Sequence, residues 1–150
     1  MGLLLLSQPA AALVGTTVRW IDVMGLQSDP IDLGLDASAR AQFGVNIRAT
    51  KVPSDTFDEE IEEVLIDAGI DPDTIFVSSK SVVPTGDGPY LSILLTGGTG
   101  IRTHNIRTRF AYVQATAQLV ARGMVAEEAE ALVRRALAIL LAVKNADVAV

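Results

Sequence analysis

The stretch RFAYVQATAQLV, residues 109–120, decides the class of the fold. Apolar and polar residues alternate along it, with Ala111, Val113, Ala115, Ala117 and Leu119 on one side and Tyr112, Gln114, Thr116 and Gln118 on the other. A period of two residues is typical of a strand, because successive side chains of a strand point to opposite faces. One apolar and one polar face predict a long strand in an antiparallel sheet that is covered on one side.

Shorter segments with strand character flank this one. Residues 74–79 and 89–95 are predicted as strands, separated by the turn-rich sequence PTGDG at 84–88. Residues 16–23 and 42–50 are two further strand candidates, and in the second Phe43, Val45, Ile47 and Ala49 share a face. The connection over 25–40 contains Asp-Pro and glycine and is expected to be a loop.

Two helices are predicted to cover the sheet. The first begins at Thr56, which forms a capping box with Glu59, and ends at Gly69. The second spans about residues 125–143, with Glu130 and Arg134 paired one turn apart. Their apolar stripes are Phe57, Ile61, Val64, Leu65 and Ala68, and Ala129, Leu132, Val133, Ala136, Leu137 and Leu140. These elements predict a single α+β domain, with two main helices packed on one face of a mostly antiparallel sheet.

Composition excludes several classes of site. The chain has 150 residues, no cysteine and a single histidine, His104. Disulfides, thiolate metal sites and cysteine nucleophiles are therefore excluded, and a site with several histidines cannot form within one chain. The net charge of −6 differs from the basic character expected of a nonspecific duplex-binding domain.

The first fourteen residues begin with the apolar run MGLLLL. A signal peptide has a basic segment before its apolar run, whereas the first Lys or Arg here is Arg19. The run is also too short to span a membrane. We therefore interpret residues 1–14 as an N-terminal extension whose leucines pack on this domain or on a neighbour, and residues 15–150 as the domain.

Negative charge is concentrated in the first predicted helix. The cluster consists of Asp55, Asp58, Glu59, Glu60, Glu62, Glu63 and Asp67. One interpretation is the solvated face of a helix. The other is an acidic surface that meets a basic surface of a neighbouring copy, for which Glu59, Glu62 and Glu63 are the candidates.

The glycines of GGTG at 97–100 resemble a phosphate loop. Such a loop must open a helix, however, and a strand is predicted to follow here. His104 has no orienting carboxylate or nucleophile near it in sequence, although Asp87 could approach in space. No catalytic, cofactor-binding or metal-ligating set emerges, and no enzyme activity or cofactor is expected.

Three arginines follow these glycines, at 102, 107 and 109. They are either scattered surface charge or part of a protruding arm, residues 96–108, that grips a partner. On the second interpretation, the arm supplies the interface candidates Gly97, Gly98, Arg102, His104, Arg107 and Arg109.

Several segments together resemble the tail terminator proteins of long-tailed bacteriophages, often labelled minor capsid or tail completion proteins. The resemblance is carried by IFVSSK at 75–80, VPTGDGPYLSI at 83–93, TGG at 96–98 and IRTHN at 101–105. A long strand followed by an alanine-rich helix that ends in VKN at 143–145 extends it.

The first fifty residues resemble the same family out of order. GTTVRW at 15–20, LQS at 26–28, IDLGLD at 31–36 and FGVNIRA at 43–49 are similar to its C-terminal part, which normally follows the second helix. The chain therefore reads like a circular permutation. This order predicts that residues 146–150 pair with residues 16–21 as antiparallel strands, and that strand 43–49 joins the same core as helix 56–68.

The resemblance implies a structural virion protein of the phage neck, assembled in the host cytoplasm. It implies a homohexameric ring that ends the tail tube and joins it to the head-tail connector or stopper protein. DNA would pass through the lumen without specific binding, and no membrane is involved. Two alternatives remain open: another neck protein, such as a stopper or adaptor, and a small hydrolase or phosphate-binding enzyme around Asp87, the paired glycines and His104.

Overall fold

Residues 17–105 and 110–150 are described by a computed structural model of the chain. The strands are β1 Thr17–Gly25, β2 Ile31–Leu35, β3 Ala41–Lys51, β4 Ile75–Val77, β5 Tyr90–Asn105, β6 Phe110–Gly123 and β7 Ala146–Ala149. The helices are α1 Phe57–Asp67 and α2 Ala126–Leu141, and a 3-10 turn, Pro72–Thr74, precedes β4. The predicted N-terminal extension lies outside the described residues.

The seven strands of the described residues belong to one sheet, in the order β4-β5-β6-β3-β1-β7, with β2 also paired to β3. The pairings are antiparallel apart from the parallel contact between β4 and β5. Both helices pack on the apolar face of this sheet. The α+β class predicted from the change of period is therefore confirmed, as a single domain with a curled, mostly antiparallel sheet.

The core lies between the sheet and the two helices. Trp20, Val45, Ile47, Ala49 and Leu119 are buried from the sheet, Phe57, Ile61 and Leu65 from α1, and Ala129, Val133, Ala136 and Leu140 from α2. The prediction that strand 43–49 joins the same core as the first helix is confirmed. Ala68 is exposed, in contrast to the predicted stripe, because α1 ends one residue before it.

The two ends of the described chain pair with each other. Thr17 to Trp20 of β1 lie opposite Ala149 to Ala146 of β7 in antiparallel register. The backbone N–H of Asn145 also donates to the carbonyl of Ile21 at 2.7 Å. The pairing predicted from the permuted order is confirmed, and it places the start of the described chain beside the exit of α2.

The expectation of a loop over 25–40 is wrong for β2. This strand follows β1 along the same edge of β3, so the two act as one interrupted strand. At the interruption, Leu26 N–H donates to the Asn46 carbonyl at 2.9 Å, and the Gln27 side chain accepts from Asn46 N–H at 2.8 Å. β2 has only five residues and a register break beside Gly34, too little for a period to show in the sequence.

The predicted capping box at the start of α1 is also wrong. Thr56 is the N-cap residue, but its side chain makes no capping bond. Its hydroxyl instead donates to Oε2 of Glu60 at 3.0 Å. The Thr56 hydroxyl bonds to Glu60 and not to the backbone, because the buried carboxylate of Glu60 requires hydrogen-bond donors.

Candidate assembly surfaces

β5 and β6 form a hairpin much longer than the sequence predicts. The sequence predicts a loop between strands 89–95 and 109–120, yet residues 96–105 belong to β5, which pairs with β6. The ladder has three irregularities, the first between Leu95 and Gly97. Gly97 has a φ of 106°, which glycine adopts without strain and which suits such a bulge. The glycines and bulges hide the period of two from the sequence.

Part of this hairpin extends past its neighbours. β3 ends at Lys51, opposite Val113 of β6, and β4 accompanies β5 from Leu91 to Ile93. Residues 102–105 of β5 and 110–112 of β6 therefore lie beyond both strands, and we call them the hairpin extension. Leu94 and Leu95, which precede it, are 46% and 41% exposed.

The sequence-based interface candidates in this region are placed as follows. Gly97, Gly98, Arg102 and His104 lie in β5. The candidates Arg107 and Arg109 lie outside the described residues. Because the glycines are followed by strand, this part of β5 does not offer the helix N-terminus that a phosphate loop requires.

His104 and Asp87 are not brought together. The carbonyl of Asp87 accepts from Met124 N–H at 2.8 Å, just beyond the end of β6. Thr103, next to His104, pairs with Ala111 at the other end of that strand. At about 3.4 Å per residue, the two sites are separated by on the order of 40 Å. The approach in space that a catalytic pair would need is therefore contradicted.

The acidic cluster of α1 is divided between the interior and the surface. Asp58 is buried and accepts from Ser79 Oγ at 2.7 Å, and Glu60 is fully buried. Glu59 forms an ion pair with Lys80 at 2.8 Å. The solvated-face interpretation fails for Asp58 and Glu60. The remaining interface candidates, Glu62 and Glu63, are partly exposed.

Glu60 is held by a network of donors that the sequence analysis missed. Lys51 Nζ lies 3.4 Å from its Oε1 and donates to Val52 O and Ser54 Oγ, each at 2.8 Å. Trp20 Nε1 donates to Oε1 at 2.9 Å, and Ser54 Oγ donates to Oε2. Burial lowers the pKa of Lys51, and the Glu60 carboxylate opposes this shift. The alternation that buries Ile47 and Ala49 also points Lys51 inward, which is the signal that could have revealed the pair.

The pKa of the Glu62 carboxyl is raised. Burial is the largest cause, and the neighbouring carboxylates of Glu59 and Glu63 act in the same direction. Lys80 opposes them. A positive group from another molecule would relieve the like-charge repulsion here, so this surface stays a candidate contact.

The opposite end of the sheet exposes apolar side chains. Leu35, Met124 and Val125 are 68%, 52% and 46% exposed, and we call them the apolar end. Leu35 pairs with Ala41, which pairs with Gly123, so the three side chains lie at one end of the strands.

Carboxylates surround the apolar end. Glu127 and Glu128 in the first turn of α2 are exposed, as is Asp87 in the turn before β5. None of the three takes part in an ion pair with another described residue. This surface is not predicted by the sequence, because exposure at the ends of strands depends on which elements pack there.

A shallow groove of about 330 Å³ lies between the C-terminal ends of the two helices and β7. Its walls are mostly apolar, and Asp67 and Asp147 are its charged residues. Within the described ranges, no group of three or more His, Asp or Glu residues is placed to hold a metal ion. No helix among the same residues is long and apolar enough to cross a membrane.

No family model, no curated protein and no solved structure matches this chain.

Proposed function

We propose that this chain is a structural subunit that assembles head to tail into a ring, in the manner of a phage tail terminator. The hairpin extension is the observation that carries this proposal. The sequence segment 96–109, which overlaps it at residues 102–105, contains three arginines and no acidic residue. Strands that continue beyond the core of their own subunit are suited to contact with another molecule.

The energetics of the hairpin support this use. Leu94 and Leu95 in the middle of β5 leave much of their surface exposed, so the single chain gains little from burying them. Arginine donors form charge-assisted hydrogen bonds with carboxylates, which are stronger than bonds between neutral groups. A sequence segment of this basic character fits a partner with an acidic surface, and this acidic chain itself offers such surfaces.

The tail terminator assignment also draws on the sequence resemblance. A circular permutation requires the first strand of this chain to lie beside the segment that follows α2, and the pairing of β1 with β7 supports that reading. In this role the ring, expected to be a hexamer, ends the tail tube and binds the head-tail connector. Its net negative charge would disfavour adhesion of the DNA that passes through.

Native mass spectrometry of the full chain, alone and with assembled tail tubes, tests the ring. We expect a closed oligomer, and we expect Arg102→Ala/Arg107→Ala to weaken assembly while the chain stays folded. Arg134→Ala/Arg135→Ala on α2 is the matched control, with the same charge change away from the hairpin. Monomers in every condition, tail tubes included, would overturn the proposal.

The biological test is electron microscopy of particles that lack this protein. A tail terminator limits the length of the tail and attaches it to the head. We therefore expect tails of uncontrolled length that are not joined to heads. Normal particles formed without the protein would contradict the assignment.

A further inference from the structure

We infer that helix α1 of one copy binds the side of the sheet in the next copy that the helices leave uncovered, with Glu62 and Glu63 meeting Arg48. This inference rests on the proposed ring and names two surfaces that meet when the ring closes. The contact lies apart from the hairpin extension and adds to it.

The two described helices pack on the same face of the sheet, and they leave the other face uncovered. Ile47 and Ala49 of β3 are fully buried in the core under the helices, so Arg48 between them points to the opposite, uncovered face. In register, Arg48 lies between Thr116 of β6 and Met24 of β1. β3 and β6 contain no acidic residue, so neither strand offers a carboxylate to offset the charge of Arg48.

The Arg48 side chain has no anionic partner within the described part of its own chain. Its Nε is shielded from solvent and has no hydrogen-bond acceptor there. Asp22 shares the uncovered face, opposite Thr50, but forms no ion pair with Arg48. A partly buried guanidinium without a counter-charge is costly, because no interaction repays its desolvation. A carboxylate from another molecule would supply the missing counter-charge.

The side of α1 that faces away from the sheet offers such carboxylates. Ile61 and Leu65 turn toward the core, whereas Glu62 and Glu63 are partly exposed. Neither glutamate forms an ion pair with another described residue. Burial raises the pKa of Glu62, and the carboxylates of Glu59 and Glu63 raise it further, so a cation placed here would relieve their repulsion. The charges of the two surfaces are therefore complementary.

Apolar side chains border the uncovered face. Met24, beside Arg48 on β1, is 52% exposed. Leu94, which pairs with Gln118 of β6 on the same face, is 46% exposed. A helix laid across these strands would bury part of both side chains, which supplies a driving force for association, while the ion pairs fix its position.

The two surfaces cannot meet within one copy. α1 packs against the face that contains Ile47 and Leu119, and Arg48 points away from the other side of the same sheet. The contact therefore joins two copies through two different surfaces. A head-to-tail contact of this kind repeats from copy to copy until a ring closes.

A charge exchange in the full chain tests the inference. Glu62→Arg/Glu63→Arg and Arg48→Glu should each reduce the association constant by about tenfold or more, as expected when an ion pair at an interface is replaced by like charges. Native mass spectrometry measures the oligomers. An equal mixture of the two variants should restore oligomers in which the chains alternate, because each helix then meets a face of opposite charge.

Matched controls carry the same charge changes elsewhere on the surface. Glu127→Arg/Glu128→Arg in the first turn of α2 and Arg135→Glu on the same helix alter exposed residues that form no ion pair with the described part of the chain. Both controls should assemble like the unaltered chain. Trp20 fluorescence verifies that each variant is folded.

Arg48→Met separates assembly from folding. Methionine keeps an apolar stem of similar length and removes the charge, so the isolated subunit should unfold at the same urea concentration or a higher one. The association constant should nevertheless fall by about tenfold or more. A residue with only a structural role would instead lower the stability of the subunit and leave the oligomers of the folded protein unchanged, and that result would overturn the inference.

The outcomes separate this inference from the proposed ring. If the unaltered chain forms a ring and the exchanged variants do not assemble when mixed, the ring stands but its contact surface is wrong. If Arg48→Met weakens binding to tail tubes and leaves the oligomer intact, another protein covers this face and the inference is also wrong. If the unaltered chain itself forms no oligomer, the proposed function fails as well.

Discussion

Lys51 Nζ and Glu60 Oε1 lie 3.4 Å apart inside the protein, and both side chains are fully buried. Lys51 ends β3 and Glu60 lies in the first turn of α1, so the pair joins the sheet to the helix that covers it. Trp20 on β1 donates to the same carboxylate, which brings a third element into the contact. These polar groups are buried together because each has a partner within hydrogen-bond distance.

Removal of one member of this pair should be strongly destabilising. In Glu60→Leu the ammonium of Lys51 stays buried without its counter-charge, and such losses typically cost about 3–5 kcal/mol in the free energy of unfolding. The double variant Lys51→Met/Glu60→Leu should be closer to the unaltered chain, because it leaves no uncompensated charge. Urea denaturation followed by Trp20 fluorescence measures both. A double variant that is as unstable as the two single losses combined would contradict this account.

Stability should also depend on pH through Lys51. Burial lowers its pKa below 10.5 in the folded state, so between that lowered pKa and 10.5 the unfolded chain binds more protons. The free energy of unfolding should therefore rise with pH across this window. Lys51→Met/Glu60→Leu should remove that contribution, as urea denaturation between pH 8 and pH 11 would reveal (roughly the range in which lysines titrate).

Lys80 should affect the pH dependence of stability in the opposite direction to Lys51. Its hydrogen bond to Glu59 raises its pKa, so its contribution is lost as pH rises through that raised pKa. Lys80→Met should therefore make the alkaline slope more positive than in the unaltered chain. Slopes that change in the same direction for both lysines would be inconsistent with their environments.

Arg40 should be an important residue of the turn region beside the apolar end. Its guanidinium contacts Asp36 at 2.8 Å and donates to the carbonyls of Pro84 and Gly86 at 2.7 and 3.2 Å. Arg40→Lys should cost about 1.5–3 kcal/mol in the free energy of unfolding, because a single ammonium cannot reproduce this fork of hydrogen bonds. Arg135→Lys on the exposed face of α2 is the control and should be nearly neutral. Equal stability of the two variants would contradict the role of Arg40.

Two glycines with positive φ should differ in their tolerance of alanine. At Gly88, φ is 79° and an added Cβ would lie 2.7 Å from the carbonyl oxygen of Arg122. At Gly97, φ is 106°, and apart from its two chain neighbours no described atom lies within 4 Å of the added Cβ. Gly97→Ala should cost about 1–2 kcal/mol for backbone strain alone, whereas Gly88→Ala should cost more because backbone atoms must also move. Thermal unfolding compares them, and a larger loss at Gly97 would refute the explanation.

Local pattern was sufficient to predict much of the architecture. Residues close together in sequence show the alternation of β6 and β3 and the apolar stripes of α1 and α2. This is because side-chain direction follows the backbone period within each element. The placement of β7 beside β1 followed from the permuted resemblance rather than from periodicity, as did the proposed ring. The placement of β7 and the proposed ring were therefore both inferred from the amino-acid sequence.

Only the tertiary structure decided which strand edges pair and which charges are buried. β2 and residues 97–105 became strands because β3 and β6 supply hydrogen-bond partners, although bulges and glycines obscure their period. Glu60 became a core residue because α1 packs against Lys51 and Trp20, which are distant in sequence. The apolar end became a surface because no described element covers Leu35 and Met124. Pairing and burial are set by contacts between distant segments, and a local sequence pattern does not specify them.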